Sequence, residues 1–197
     1  MLRLEDLLAG KKAASVRTVS NTIFPEQLAR TSRDRQTLYR RYRTVLPRLK
    51  RAEPANRRGL YFERLINFPL QLDPARTNQL EGTIQRLRDE LARGGALAHA
   101  YELQVFAPGQ DQRPIGFPCM SSLSFHVEAG RLRLCATYRN QYYVRKALGN
   151  FVGLANLQRF VASESDLEPG VLSVHAFHAQ IDPDIGRRNV AAVLRDC

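Results

Sequence analysis

Residues 116–140, GFPCMSSLSFHVEAGRLRLCATYRN, contain two stretches in which apolar and polar residues alternate. An alternation with a period of two residues predicts β-strands with one apolar face. Glu128-Ala129-Gly130 separates the two stretches and has the length and the glycine of a tight hairpin turn. The residues expected to face the core from this hairpin are Leu123, Phe125, Val127, Leu132, Leu134, Ala136 and Tyr138.

Cys119 lies just before this hairpin, and the stretch alone leaves its role open. A cysteine at the start of a strand is usually a small packing residue. A cysteine held at a strand end, with its thiol ionised, would instead be a nucleophile. Cys119, Cys135 and Cys197 have no metal-ligand spacing and are odd in number. We therefore expect no metal and free thiols in a reducing cytoplasm.

The bulk properties of the 197-residue chain predict one domain over residues 1–197, with 44% apolar residues to form its core. No apolar run approaches the roughly 20 residues of a membrane helix, and the first residues do not resemble a signal peptide. We therefore expect no membrane association. The net charge of +11 favours anionic partners such as nucleotides or nucleic acid.

The N-terminal half alternates between helical and strand patterns. Residues 16–24 are rich in β-branched residues and predict a strand. Residues 33–51 predict a basic helix that breaks near Pro47. Residues 57–72 predict a strand followed by a loop. Residues 75–95 give the clearest helix, since apolar residues recur at helical spacing between the N-cap Asn78 and Gly94-Gly95.

The C-terminal half adds a strand over residues 98–108, a helix over residues 148–165, a turn over residues 167–170 and a strand over residues 171–181. Together with the hairpin, this order predicts an α+β fold, with a mixed and mostly antiparallel sheet packed against helices.

Residues 30–58 form a basic helical segment with eleven Lys and Arg residues against Asp34 and Glu53. Such a run is typical of a solvated helix face. A nucleic-acid-binding surface is the alternative. The sequence leaves both interpretations open, and salt-dependent oligonucleotide binding would favour the second.

From Cys119 onward the sequence resembles the folate-dependent thymidylate synthases. Their pattern there is Pro-Cys-His, a hairpin, Tyr-x-Arg-Ser-x-Asp, Phe-Asn, a helix and Leu-x-x-Gly-Asp. In this chain Cys119, Arg139, Asn150 and Asp166 follow one another at that spacing without a gap. The resemblance implies a thymidylate synthase-like fold in which one sheet face pairs two subunits as a homodimer.

The resemblance continues upstream of the cysteine. GLYFERLINFP places Tyr61 on the family's tyrosine, and VRTVSNTIF places Arg17 on its phosphate-binding arginine, in a loop two residues shorter. About residues 15–30 and 58–182 are covered. The basic segment at residues 30–58 has no clear counterpart.

The resemblance also implies chemistry at a uracil ring. A Cys119 thiolate would add to C6, so that C5 takes a one-carbon unit from methylenetetrahydrofolate. Arg139 would stabilise the thiolate and grip the substrate phosphate, and Tyr61 would join a hydrogen-bond network around the ring. Asn150 would read the base through its amide. The remaining residues that the resemblance assigns to substrate binding are Arg17, Asn140, Tyr142, His178, Gln180 and Asp182.

Several family residues are replaced. Met120 stands where the family has a histidine, and the glutamate of an early helix has no candidate. The arginine pair that each subunit lends its partner falls at His99-Ala100. The family's sugar-binding His-x-Tyr falls on Gln180 and Asp182, or on His178 if a two-residue gap is opened.

These replacements predict a divergent C1-transferase that methylates or hydroxymethylates C5 of a uracil nucleotide or nucleoside. The alternatives are a nucleotide-binding homologue without activity and a basic nucleic-acid-binding protein. We further expect Cys119 at the edge of a pocket and Cys135 buried and inert.

Overall fold

The computed structural model describes residues 2–69, 77–95, 101–112 and 116–194. Within these residues the helices are α1 (Leu2–Gly10), α2 (Val16–Ile23), α3 (Glu26–Arg30), α4 (Arg35–Ala52), α5 (Tyr61–Ile66), α6 (Gln79–Ala92), α7 (Leu148–Glu164) and α8 (Arg187–Leu194). The strands are β1 (Tyr101–Gln104), β2 (Met120–Glu128), β3 (Arg131–Tyr138), β4 (Gln141–Tyr142), β5 (Glu168–Ala176) and β6 (Ala179–Gln180). A 3₁₀ turn covers Pro54–Arg58 and a π-helical turn covers Tyr143–Ala147.

The main sheet has the strand order β1-β2-β3-β5. The β1–β2 and β2–β3 pairs are antiparallel and the β3–β5 pair is parallel. Strands β4 and β6 form a small parallel pair. The α+β fold with a mixed, mostly antiparallel sheet is therefore confirmed.

The hairpin of β2 and β3 forms as predicted. Ala129 and Gly130 make the two-residue turn with φ of 48° and 74°, a geometry that matches the twist of paired strands. Leu123, Leu132 and Leu134 are buried on the core side of the sheet. Helix α7 packs against β3 and β5 on that side, so the core lies between the sheet and the helices.

The strand predicted for residues 16–24 is wrong, because this segment is helix α2. β-branched residues favour strands on average, but the Ser15 side chain accepts a hydrogen bond from the Thr18 amide and begins the helix. The buried residues of α2 recur at helical spacing and are Val16, Val19, Ser20 and Ile23.

The strand predicted within residues 57–72 is also wrong. Residues 61–66 are helix α5, and residues 70–72 lie outside the described residues. The Glu63 carboxylate accepts a hydrogen bond from the Leu60 amide at 3.2 Å and so closes the first turn. Phe62, Leu65 and Ile66 are buried in the core.

The break predicted near Pro47 does not occur, because α4 continues through this residue to Ala52. Pro47 lacks an amide hydrogen and so removes one helical hydrogen bond. Contacts on both sides of Pro47 support the helix. Arg43 donates to the Ile66 carbonyl, and Lys50 pairs with Glu63 at 2.6 Å.

Helix α6 and its caps agree with the prediction. The Asn78 side chain accepts from the Glu81 amide, and the helix ends just before Gly94 and Gly95. Strand β1 and helix α7 are also found where they were predicted. Residues 98–100, the start of the segment predicted as a strand, lie outside the described residues. The turn predicted over residues 167–170 is shorter, since β5 already begins at Glu168.

A buried ion pair fixes the entrance to α5. Arg64 Nη2 donates to Asp111 Oδ1 at 2.9 Å and to the Arg58 carbonyl at 2.7 Å, and both charged side chains are almost fully buried. Gly59 has φ of +117°, and a Cβ there would lie 2.6 Å from Arg64 Nε. This position therefore requires glycine, and the arrangement holds Arg58 and Tyr61 in place.

Candidate active site

A cavity of about 730 Å³, here called the Cys119 cavity, lies where β2 begins and β3 ends. It is built from segments that are far apart in the sequence, which the sheet and α7 bring together. The lining residues are Val19, Thr22, Pro54, Asn56, Arg57, Arg58, Gly59, Leu60, Tyr61, Gly116, Phe117, Pro118, Cys119, Arg139, Asn140, Gln141, Tyr142, Lys146 and Asn150.

Cys119 and Arg139 are neighbours across the hairpin. The Arg139 amide donates to the Cys119 carbonyl at 3.0 Å, and residues opposed in this way have side chains on the same face of the strands. A β-bulge between Met120 and Ser122 follows directly, and bulges re-aim the side chains beside them. Cys119 is half-buried, so the ladder presents its thiol at the cavity wall.

The Arg139 guanidinium lies 3.9 Å above the ring of Phe117. Such stacking holds a cation through the face of the ring. Arg139 Nε is buried without a hydrogen-bond partner. An anion in the cavity would therefore meet a guanidinium that is oriented but not neutralised.

Tyr61, the first residue of α5, contacts the ring of Tyr138 edge to face at 6.3 Å. Burial raises the pKa of Tyr61, and the charge of Cys119 adds to this effect. Burial raises the pKa of Tyr138 in the same way, with further contributions from Tyr61 and Cys119. Both phenols therefore keep their proton at neutral pH, and Tyr61 can donate it in a hydrogen bond.

Asn150 occupies the first turn of α7 and is 4% exposed. Its side chain reaches the cavity. The side-chain amide of Asn150 forms no hydrogen bond with another of the described residues. A buried amide normally has partners, so this one is suited to pair with a ligand.

Asn140 joins two further predicted residues. Its Oδ1 lies 2.8 Å from His178 Nδ1 and 3.3 Å from Gln180 Nε2. The β4–β6 pair positions this group, since the Gln141 amide donates to the His178 carbonyl at 2.9 Å. Asn140 lines the Cys119 cavity, and His178 and Gln180 support it from behind.

Tyr142 and Asp182 have different surroundings. Tyr142 lines the cavity and is 38% exposed. Asp182 is buried, accepts from the Arg145 amide at 3.2 Å and forms an ion pair with Arg145 Nε at 3.5 Å. Its carboxylate is therefore already engaged within the protein.

Arg17 lies apart from this group. It lines a separate depression and donates to Gln27 Oε1, while Val19 and Thr22 of the same helix reach the Cys119 cavity.

Cys135 is half-buried on the far face of the sheet, between Ser124 and Ser173, and so is less buried than predicted.

Four further residues that line the cavity were not predicted: Arg57, Arg58, Gln141 and Lys146. In the sequence, Arg57 and Arg58 could have been recognised as a pair of basic residues directly before Gly59. Gln141 is 2% exposed, and both polar atoms of its side chain lack a partner. Burial lowers the pKa of Lys146, and the carboxylates of Glu53 and Asp182 offset part of this shift.

Much of the basic segment at residues 30–58 is engaged inside the protein. Arg35 pairs with Glu81 and Glu164, and its hydrogen bonds to these carboxylates, above all to Glu81, raise its pKa. Arg41 donates to the Thr31 carbonyl at 2.8 Å. These contacts favour the interpretation as a solvated helix face with structural ion pairs.

The described residues contain no group of three or more His, Cys, Asp or Glu that could hold a metal ion. Among the helices of the described part of the chain, none is long and apolar enough to cross a membrane.

No protein-family model matches the chain. The thymidylate synthase of Cereibacter sphaeroides is 36% identical over 96 residues, which are 48% of this chain and 30% of that protein. A putative thymidylate synthase of Methanothermobacter thermautotrophicus is 30% identical over 104 residues, which are 53% of this chain and 45% of that protein. The chain therefore spans less than half the length of these curated relatives.

Among solved structures, the thymidylate synthase of T4 phage superposes with a TM-score of 0.55 at 20% identity. The match covers 68% of this chain and 43% of the phage protein. At this identity the likeness is one of fold, and it agrees with the sheet and helices described above.

Proposed function

This chain is a divergent thymidylate synthase-like protein, and from this premise we propose that it transfers a one-carbon unit to C5 of a uracil nucleotide or nucleoside. The observation that carries the proposal is the convergence of Cys119, Tyr61, Arg139 and Asn150 on one cavity. Fold alone does not give function, but a thiol, a guanidinium, a phenol and an amide are the groups that this reaction needs.

The reaction would begin with a bond between the Cys119 thiolate and C6 of the uracil ring. The electron pair of the C5–C6 double bond moves to C5 and O4, so C5 becomes a nucleophile. C5 then takes the one-carbon unit and loses its proton. The bond between this carbon and the donor nitrogen would then break, and the carbon would gain either a hydride from the tetrahydrofolate donor, to give methyl, or water, to give hydroxymethyl. Departure of the thiolate from C6 restores the double bond.

Each residue would serve one stage. Arg139, held across the hairpin from Cys119, favours the ionised thiol and holds a substrate phosphate. Tyr61 donates its phenolic proton to a hydrogen-bond network at the ring. Asn150 reads the base edge, and Asn140, fixed by His178 and Gln180, contacts the sugar or phosphate.

The one-carbon donor of the resembled family is methylenetetrahydrofolate, which supplies an electrophilic carbon when bound. The Cys119 cavity shares Arg57, Arg58 and Gly59 with a neighbouring cavity of about 660 Å³. The two cavities together have room for a second ligand beside a nucleotide. The cations at their border suit a donor that carries carboxylates.

The direct test uses uridine and deoxyuridine monophosphates tritiated at C5. Release of tritium to water requires loss of the C5 proton, so release that depends on the protein would support the proposal. Saturable nucleotide binding without release would instead support the catalytically degenerate alternative. Absence of both binding and release would overturn both proposals and favour the alternative of a basic nucleic-acid-binding protein.

Asn150→Asp should reverse the base preference of the site. An amide accepts from N3–H and donates to O4 of uracil, whereas a carboxylate would face O4 with lone pairs on both sides. We expect uracil nucleotide binding to weaken by about 1–3 kcal/mol, while cytosine nucleotide binding holds or improves. Calorimetry with both nucleotides on both proteins measures the change. An unchanged preference would show that Asn150 does not touch the base.

We also propose a homodimer that pairs through the face of the sheet opposite the helices. This face carries small residues, such as Ser124 and Cys135, that are half-buried, and Val171 and Phe177 are 59% and 76% exposed at its edge. We expect more than about 2,000 Å² of total interface, as in obligate pairs. Sedimentation should show a dimer at micromolar concentration, and a monomer there would contradict the proposal.

The free thiols agree with a cytoplasmic protein.

A further inference from the structure

The wall of the Cys119 cavity is basic to an unusual degree. Its described residues include Arg57, Arg58, Arg139 and Lys146, and none of them is Asp or Glu. Four cations around a concave, partly water-excluded surface attract an anion strongly, because the walls focus the field. Arg139 directly follows β3, whereas the other three cations come from the 3₁₀ turn and the π-helical turn.

Two of these cations form no direct ion pair, although the charges of Glu53 and Asp182 act on Lys146 through space. Neither Arg57 nor Lys146 forms a hydrogen bond or an ion pair with any of the described residues. Nearby cations behave differently, since Lys50 pairs with Glu63 and Arg64 pairs with Asp111. Charges left without a partner at a concave wall are suited to a ligand rather than to folding.

Arg57 and Arg58 also face a second cavity, the neighbouring one of about 660 Å³. Lys50 and Arg64 line it as well, and Arg64 Nη1 is buried without a partner. The excess of positive charge therefore continues across the border between the two cavities.

We infer that Arg57, Arg58 and Lys146 form a second anion-binding site, separate from Arg139, for a phosphate or carboxylate group of a ligand in the Cys119 cavity. This inference rests on the proposed function for the identity of the ligand. The anion is either an outer phosphate of the nucleotide or an acidic group of the one-carbon donor. Both sources present oxygens that guanidinium and ammonium groups bind.

The test compares Lys146→Gln and Arg57→Gln with Arg48→Gln. Arg48 is exposed on α4, lies outside both cavities and has no partner among the described residues, so this variant matches the loss of one charge. Calorimetry uses four probes: inorganic pyrophosphate, uridine, uridine 5′-diphosphate and folic acid. Thermal melting confirms that each variant is folded, which is expected because none of the changed side chains forms a hydrogen bond or an ion pair with a described residue.

For pyrophosphate we expect each cavity variant to bind about tenfold more weakly than wild type, while Arg48→Gln stays within about twofold. Uridine binding should not change. A loss confined to uridine 5′-diphosphate identifies the nucleotide phosphate as the source of the anion, and a loss confined to folic acid identifies the donor.

Failure of this inference is distinguishable from failure of the proposed function. Uridine nucleotides that bind wild type and both cavity variants equally would overturn the second anion site and leave the proposed function standing. Pyrophosphate binding that the cavity variants lose, without any uridine binding, would support the anion site and count against the proposed function. Absence of binding by all four probes would overturn both.

Discussion

Cys119→Ser should lower the rate of tritium release from C5 by at least about a thousandfold. A hydroxyl in place of the thiol ionises far less readily, so the bond to C6 does not form at a useful rate. Nucleotide affinity should change little, because the proposed function assigns the binding of the ligand to Arg139, Asn150 and Asn140 rather than to the sulfur. Release assays and calorimetry on the same preparation separate these two effects.

Cys135→Ser is the matched control. Cys135 is half-buried in β3 and does not line the Cys119 cavity, so tritium release should stay within about twofold of wild type. The thiol of Cys119 should also be alkylated faster than that of Cys135 if Arg139 favours its ionised form. Full release by Cys119→Ser, or loss of release on Cys135→Ser, would contradict the assigned nucleophile.

Gly149→Ala should destabilise the fold by about 2 kcal/mol. A Cβ at Gly149 would lie 2.5 Å from Val19 Cβ and 2.9 Å from the Val16 carbonyl oxygen. Helices α2 and α7 would have to separate, which costs more than the helix propensity that alanine gains. Because Asn150 follows directly and Val19 lines the Cys119 cavity, nucleotide affinity should fall as well. Urea unfolding should show a midpoint lower by about 1 M.

Gly82→Ala provides a control of opposite sign. Gly82 is exposed on α6, and a Cβ there would meet nothing within 4 Å. Alanine should therefore stabilise the protein by about 0.5–1 kcal/mol through helix propensity alone. A Gly149→Ala protein as stable as Gly82→Ala would show that α2 and α7 do not pack at this distance.

The elements whose local pattern agrees with their burial could be predicted from the sequence. In the hairpin, the period-two alternation and the Ala129-Gly130 turn indicate the same structure. In α6, the apolar spacing and the Asn78 cap do so too. Such agreement needs no information from distant residues. The spacing from Cys119 to Asn150 was readable for another reason, because it matches the pattern of the thymidylate synthases without a gap.

Tertiary contacts decided the elements that were misread. The segments at residues 16–24 and 57–72 contain β-branched and aromatic residues that suit a strand. Both segments form helices because one face meets a buried partner, which is α7 for α2 and the core for α5. Propensity is a weak preference, and packing energy exceeds it. The same holds at Pro47, where α4 continues despite the missing amide hydrogen.

The sequence by itself determined the α+β class and the hairpin that follows Cys119, and its resemblance to the thymidylate synthases indicated Tyr61, Arg139 and Asn150, which line the same cavity as Cys119. Only the tertiary structure showed that Arg57, Arg58 and Lys146 join them and that Arg17 faces a different depression. A side chain's position in a cavity depends on how elements distant in sequence pack together. Residue type and spacing along the chain do not contain that information when the segments are separated by loops.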